Sequence, residues 1–385
     1  MGREKMENLS VIGIGRLGLC FSMTLENAGY NVVGCDINEK YVNEVNSKTF
    51  KSSEPGLSSL LRKSENFKAT TSLYDAVNHS KLVFVLVRTE SEPDGKYDHS
   101  QVESVLTGIQ KLGVQEETKH LVICSNVNPG YSNQIAQRLE ELNWAVSYNP
   151  EMIAQGTILK NQQQPDCVYI GAASTEATNE IEKIYNNICS NKPKIYRMDR
   201  NSAELAKVSL NSFLTVKISF ANMVGDLAIK MNADPDKVLE AIGGDSRIGD
   251  KFFKYGFGWG GPCFPRDTRA FVRNAEQNEI NAYLVKAASN GNKEHLNFQI
   301  NQFINTHDKD DPVIFDGTGH QLASDTVFEG VTYKKGTTII EESQQLEFAV
   351  QLAKLGYDIL VIDSPQTIKQ VQEVYGDIFS YEEVF

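Results

Sequence analysis

Apolar residues recur along the chain in short runs separated by helix-periodic stretches. Leu9 to Ile14 is one run, and "GIGRLG" follows it. Leu17 to Ala28 then carries apolar residues at helical spacing, and Gly29 ends it. Asn31 to Cys35 is apolar again and closes on Asp36. This order predicts strand, glycine turn, helix, strand. The theme repeats at 81–87 ("KLVFVLV"), 119–126 ("KHLVICSN"), 144–150 ("WAVSYNP") and 167–172 ("CVYIGA"), with helical patterns such as "SQVESVLTGIQKLG" and "SNQIAQRLEEL" between. Strands alternating with helices predict a doubly wound parallel sheet.

The pattern changes near residue 200. "NSAELAKVSLNSFLTVKISFANMVGDLAIKMN" reads as one long helix with Ser202 placed to cap it, and "DPDKVLEAIGG" as a shorter one after a turn. A glycine-rich stretch, "GFGWGGPCFPRDTRAF", spans Gly256 to Phe271, and helix is expected from about Thr268 to Ile304. "NTHDKDDP" is a polar breaker. Beyond it, "PVIFDG", "TVFEGVTYK", "SQQLEFAVQLAKLG" and "DILVIDSP" make a second small α/β unit. "LAKLGYDILVIDS" echoes "LENAGYNVVGCDI", as two Rossmann-like lobes around a helical centre would. The expected architecture is therefore α/β: an N-terminal Rossmann domain (1–197), a central helical domain (198–300) and a C-terminal Rossmann-like domain (308–385). The last looks abbreviated, because the chain stops soon after "DILVIDSP". A long helix between two lobes suits the seam of a homodimer.

Composition narrows the function classes. The chain has 385 residues, 41% hydrophobic and 23% charged, with a net charge of -12. An acidic total argues against nucleic acid and anionic membrane as partners, while leaving room for a local basic pocket. No run approaches 18 apolar residues, so nothing is expected to span a bilayer. "MGREKMENLSVIGIG" lacks the apolar core of a signal peptide, and the expected setting is cytoplasmic. Six scattered cysteines, without CxxC or metal-ligand spacing, fit a reducing compartment and no metal.

Candidate chemistry begins at Gly13, Gly15 and Gly18. This G-x-G-x-x-G follows a strand and opens a helix, the context in which glycines let a backbone approach a pyrophosphate. Asp36, about 20 residues on, is placed to accept from a ribose 2′-OH and to repel a 2′-phosphate, which favours NAD over NADP. Arg16, inside the turn, reaches a phosphate or lies in solvent. Lys207 and Asn211 share a face of the long helix. They form either an oxyanion site or a solvated stripe. Cys263 lies behind Gly256, Gly258, Gly260 and Gly261, in a pliable backbone stiffened by Pro262 and Pro265. Arg266 and Lys254 would favour its thiolate, and Asp267 would oppose it unless paired. The choice there is between a nucleophile for covalent aldehyde oxidation and a buried inert thiol.

These segments in this order resemble the UDP-glucose/GDP-mannose dehydrogenase family over nearly the whole chain. The resemblance rests on "VIGIGRLG", "SNVNPG", "YNPEMIAQGT", "AELAKVSLNSFL", "RIGDKFFKYGFGWGGPCFPRD" and "GVTYKKGTT" followed by "EES". It implies NAD as cofactor and a four-electron oxidation of a nucleotide-sugar C6 alcohol to a carboxylate, through a thiohemiacetal and a thioester on Cys263. UDP-glucose is the expected substrate. The same chemistry on GDP-mannose or a UDP-N-acetylhexosamine, and a catalytically impaired nucleotide-sugar-binding relative, are the alternatives. A simple hydroxyacid dehydrogenase would not need Cys263.

By the same resemblance, Lys207 and Asn211 stabilise charge on oxygen, Asp267 orients the lysine and places water, and Glu151 serves as acid/base. Gly13, Ile14, Gly15, Arg16, Leu17, Gly18, Asp36, Lys40, Thr89, Asn126 and Gln155 would meet NAD. Met152, Ile153, Ala154, Gln155, Lys207, Asn211, Lys254, Tyr255, Gly256, Phe257, Gly258 and Gly260 would line the sugar pocket. Phe252 would pack on the base, Arg247 would reach across a dimer, and Tyr333 and Lys334 would come from the C-terminal domain. Four positions depart from the family pattern: Asn126 stands for a threonine, Gln155 for a second glutamate, Glu341 for an arginine and Glu90, after Thr89, for a proline. Slower thioester hydrolysis and altered nucleotide selectivity are the expected consequences.

Overall fold

The first strand, β1 (Asn8–Ile12), ends before the apolar run does, because Gly13 takes φ +87° and turns the chain. The computed structural model describes residues 7–153, 156–172, 174–318 and 326–384. The chain divides into two compact units, 1–208 and 209–385.

In the first unit, α1 (Arg16–Asn27), β2 (Asn31–Cys35), α2 (Glu39–Asn46), α3 (Leu57–Lys63), β3 (Phe67–Thr70), α4 (Leu73–His79) and β4 (Leu82–Val85) follow β1. Then come α5 (Ser100–Lys111), β5 (Lys119–Ile123), α6 (Tyr131–Leu139), β6 (Trp144–Tyr148), α7 (Ile158–Gln163), β7 (Cys167–Ala172), α8 (Thr175–Ile188) and β8 (Lys194–Met198). The strands form one sheet in the order β3-β2-β1-β4-β5-β6-β7-β8. It is parallel except at β6 and β7, which pair antiparallel (Ser147↔Ala172, Tyr148↔Gly171). This corrects the all-parallel expectation. β7 instead runs parallel to β8 (Cys167↔Lys194), to which α8 joins it. Apolar clusters cover both faces of the sheet. One includes Val11, Phe21, Val32 and Phe84, with Phe21 edge-on to Phe84 at 5.1 Å. The other includes Val83, Leu106, Ile123 and Ile135. Each fully buried Leu, Ile, Val or Phe contributes roughly 1.5–3 kcal/mol.

The chain passes from one unit to the next within α9 (Arg200–Lys230), a single 31-residue helix. Asp199 caps it, accepting from the Ser202 amide at 3.0 Å and the Ser202 hydroxyl at 2.6 Å, so Ser202 is the donor and not the cap. α9 is long and apolar enough to cross a bilayer by length and composition only, with an 18-residue window of mean hydropathy 1.2, a test that the core helix of a globular protein also passes. Phe213, Phe220, Met223 and Leu227 are exposed along it, and Met231 just past its end.

In the second unit, α10 (Pro235–Gly243) is followed by α11 (Phe264–Gln277) and α12 (Tyr283–Thr306). The helix expected from Thr268 to Ile304 is thus two. Glu279 takes a left-handed φ of +59°, and the Ile280 amide bonds back to Ala275, closing α11. A parallel four-stranded sheet follows, from β9 (Val313–Asp316), β10 (Val327–Phe328), β11 (Ile359–Asp363) and β12 (Ser380–Glu383), in the order β10-β9-β11-β12. It is joined by α13 (Gln344–Lys354) and α14 (Pro365–Tyr375). Past "DILVIDSP" the C-terminal lobe continues with α14 and with β12, which pairs with β11. Phe315, Phe348, Val361, Val371 and Phe379 form its core.

Candidate active site

The dinucleotide motif lies where the order of strands reverses, between β1 and β4, the switch point at which open α/β sheets bind ligands. The Gly13 amide donates to the Cys35 carbonyl at 2.8 Å, and a Cβ on Gly13 would stand 2.8 Å from the Leu86 carbonyl oxygen. A Cβ on Gly18 would fall 1.9 Å from the Gly13 oxygen, so only glycine lets α1 start this close to the turn. Gly15 is the N-cap of α1 without a side-chain cap, and a Cβ there would meet nothing within 4 Å. An open helix N-terminus with bare backbone fits the anionic pyrophosphate of NAD. Asp36 sits at the end of β2 and accepts from the Asn38 amide at 3.1 Å. The Ile14 side chain is buried, while its carbonyl accepts from the Tyr41 hydroxyl at 2.6 Å. Thr89 follows β4 and Asn126 follows β5, at the same strand ends as the glycine turn. Arg16 is exposed at the first position of α1 and Leu17 is half-buried. Lys40 is exposed and 4.0 Å from Glu44.

Beyond β6, Glu151 is held from two sides. The Lys207 ammonium donates to its main-chain carbonyl at 2.7 Å and lies 3.8 Å from the Met152 sulfur. Gln162 donates to carboxyl oxygen Oε2 at 3.3 Å, whereas Oε1 is sealed from solvent with no hydrogen-bond partner among the described residues. Burial pushes this carboxyl up to about 7, against the opposing pull of Gln162 and Lys207. A carboxyl at that value is poised to take and give protons at neutral pH. Met152 and Ile153 are half-buried beside it. Ala154 and Gln155 lie outside the described residues.

In the second unit, Cys263 is the N-cap of α11, half-buried, and its carbonyl accepts from the Asp267 amide at 2.9 Å. A helix N-terminus favours an anion, as a thiolate nucleophile requires. Asp267 is fully buried. It accepts from the Asn211 amide at 2.5 Å and from Arg266 Nε at 3.0 Å. The aspartate that would oppose a thiolate is thus paired, and Asn211 is fixed by it.

The family model for the NAD binding domain of the UDP-glucose/GDP-mannose dehydrogenase family matches residues 7–189, and that for its central domain matches 201–294. A UDP-glucose dehydrogenase from the hyperthermophilic archaeon Pyrobaculum islandicum is 30% identical, with a TM-score of 0.87 over 100% of this chain and 88% of that one. The chain belongs to this family. Among curated members, the UDP-glucose 6-dehydrogenase of Pseudomonas aeruginosa is 31% identical over 76% of this chain and 67% of its own length. The UDP-glucose 6-dehydrogenase YwqF of Bacillus subtilis is 28% identical over 98% and 83%. Family membership makes the chain an NAD-dependent nucleotide-sugar dehydrogenase.

Several residues that the family resemblance assigns to substrate make contacts within the protein. The Tyr255 hydroxyl donates to Asp226 at 2.9 Å, and the Phe257 ring packs against Phe348 at 5.6 Å. Arg247 is exposed and paired with Asp245 at 2.7 Å. Phe252 is exposed at an unusual φ of +58°, and Lys254 is exposed. Gly258 lies against Asn292, where a Cβ would stand 2.2 Å from its Oδ1. Gly260 lies against the Glu342 carbonyl. Tyr333 packs its ring on Gly261, and the Lys334 carbonyl accepts from the Thr332 and Thr337 hydroxyls. Sequence reasoning missed Tyr41 and Gln162, which are isolated polar side chains outside any motif. It also missed that Cys263 caps a helix, although Pro265 was a readable start signal.

Proposed function

We propose that this protein oxidises UDP-glucose to UDP-glucuronate, with Cys263 as the covalent nucleophile. The observation that carries the reading is Cys263 at the N-terminus of α11, behind the glycine loop, with its neighbouring aspartate already paired. The first oxidation turns the C6 alcohol into an aldehyde, its hydroxyl proton leaving to a base. The Cys263 thiolate adds to the aldehyde carbon, giving a thiohemiacetal. Loss of a second hydride gives a thioester, and water cleaves it to carboxylate and thiol. Bound NAD supplies the chemistry of accepting a hydride in each oxidation.

The chain's own residues supply the rest. Glu151, with its raised proton affinity, takes the proton of the attacking water. The Lys207 ammonium and the second N–H of Asn211 stabilise charge on oxygen, and Asp267 keeps that amide turned. The relatives named UDP-glucose 6-dehydrogenase support glucose as the sugar. The exposed apolar stripe on α9 supports a homodimer formed through that helix, in a three-part chain of NAD-binding (1–197), helical (198–300) and nucleotide-sugar (308–385) domains. A reducing cytoplasm suits a working thiol. A panel of UDP-glucose, GDP-mannose and UDP-N-acetylmannosamine tests the substrate. NADH formation fastest with UDP-glucose is expected, and a clear preference for another sugar overturns that assignment.

A further inference from the structure

The glycine loop that leads into Cys263 is gripped by side chains from two helices. At Gly256 the amide donates to Asn222 Oδ1 at 3.1 Å, from α9. The Gly256 carbonyl accepts from His295 Nε2 at 2.6 Å and from Gln299 Nε2 at 3.3 Å, both from α12. At Trp259, Asn292 takes the amide and gives to the carbonyl, each at 2.9 Å.

The Gly256 anchor differs from the other in being backed by a carboxylate. His295 is 2% exposed, and its Nδ1 lies 2.9 Å from each oxygen of Asp226. The ring thus bridges the Asp226 carboxylate on one side and the Gly256 carbonyl on the other. Tyr255 closes the circuit by donating to the same carboxylate at 2.9 Å. Gly225 makes room for that tyrosine, since a Cβ there would fall 2.0 Å from its ring.

We propose that His295, held by Asp226, is a positioning residue for the reaction, fixing the Gly256 carbonyl and with it the course of the loop into Cys263. The inference rests on the covalent role of Cys263 given above. A loop with four glycines between Gly256 and Gly261 has no conformational preference of its own to hold a sulfur in place. Misplacing a reacting atom by about 1 Å costs up to about 100-fold in rate.

The test compares His295→Leu, which cannot donate to Gly256, with His295→Gln, which can, in the full-length enzyme. Amide hydrogen exchange over 256–261 is measured without nucleotides, and kcat and KM with the sugar that yields NADH. For the leucine variant the expected result is loop exchange at least about 10-fold faster and kcat lower by about 10- to 100-fold, with KM changed less. The glutamine variant should recover most of both. Wild-type exchange and kcat in His295→Leu, or equal losses in the two variants, would overturn the proposal. If His295→Leu does not fold, Asp226→Asn replaces it with the same expectations. If no nucleotide sugar yields NADH, the functional reading fails, while loop exchange still decides the role of His295.

Discussion

Replacing Glu151 by glutamine should stabilise the protein in a pH-dependent way. Burial raises this carboxyl from its ordinary 4.5 to about 7. The folded protein therefore binds that proton more tightly than the unfolded chain. Below about pH 4.5 the group is protonated in both states and costs nothing. As pH rises the unfolded chain ionises first, and stability falls until the folded carboxyl also ionises above about 7. At roughly 1.4 kcal/mol per pH unit the full cost is about 3 kcal/mol at pH 8, and only about 1 kcal/mol at pH 5. Glutamine has the same shape and no charge to desolvate. Any packing change it causes is common to both pH values, so the difference between the two offsets isolates the charge. That difference, about 2 kcal/mol, corresponds to roughly 4–8 °C in Tm for a unit of this size. Scanning calorimetry of both proteins at pH 5 and pH 8 reads it directly. An offset that is the same at both values, or larger at pH 5, would refute the buried, proton-poised carboxyl. The same variant should lose about 100-fold or more in kcat, since a glutamine cannot take a proton.

Three further outcomes are expected. Cys263→Ser should lose carboxylate formation by about 100-fold or more while keeping its fold, which mass spectrometry of the product and circular dichroism check together. Asp36→Ala should raise the KM for NAD by about 10- to 100-fold, with a smaller effect on NADP, because a charge-assisted hydrogen bond to the ribose is worth about 1.5–3 kcal/mol. Met223→Glu with Leu227→Glu should convert a dimer to monomers in light scattering, by placing charge in the exposed apolar stripe of α9, and an unchanged mass would refute that stripe as the seam.

Much of this was legible in the chain because periodicity and glycine chemistry are local. The second strand, 31–35, and the strand at 167–172 read directly from their apolar runs, and the long helix from its unbroken spacing. The glycine turn was readable because only glycine fits where Gly13 and Gly18 touch backbone. What was not legible depends on distant partners. The antiparallel direction of β7 is set by how its connection returns, which an apolar run does not encode. The break between α11 and α12 turns on one left-handed residue, Glu279, of a type that rarely adopts that conformation. The proton affinity of Glu151 comes from burial, against the opposing hydrogen bond from Gln162, and the "NPE" motif encodes neither. His295 and Asp226 stand 69 positions apart, and no spacing announces their contact.

The number of NADH molecules formed per UDP-glucose consumed tests the central claim most directly. Two, with UDP-glucuronate as the product, is the result the covalent role of Cys263 predicts. One, with the sugar released as an aldehyde, would contradict it.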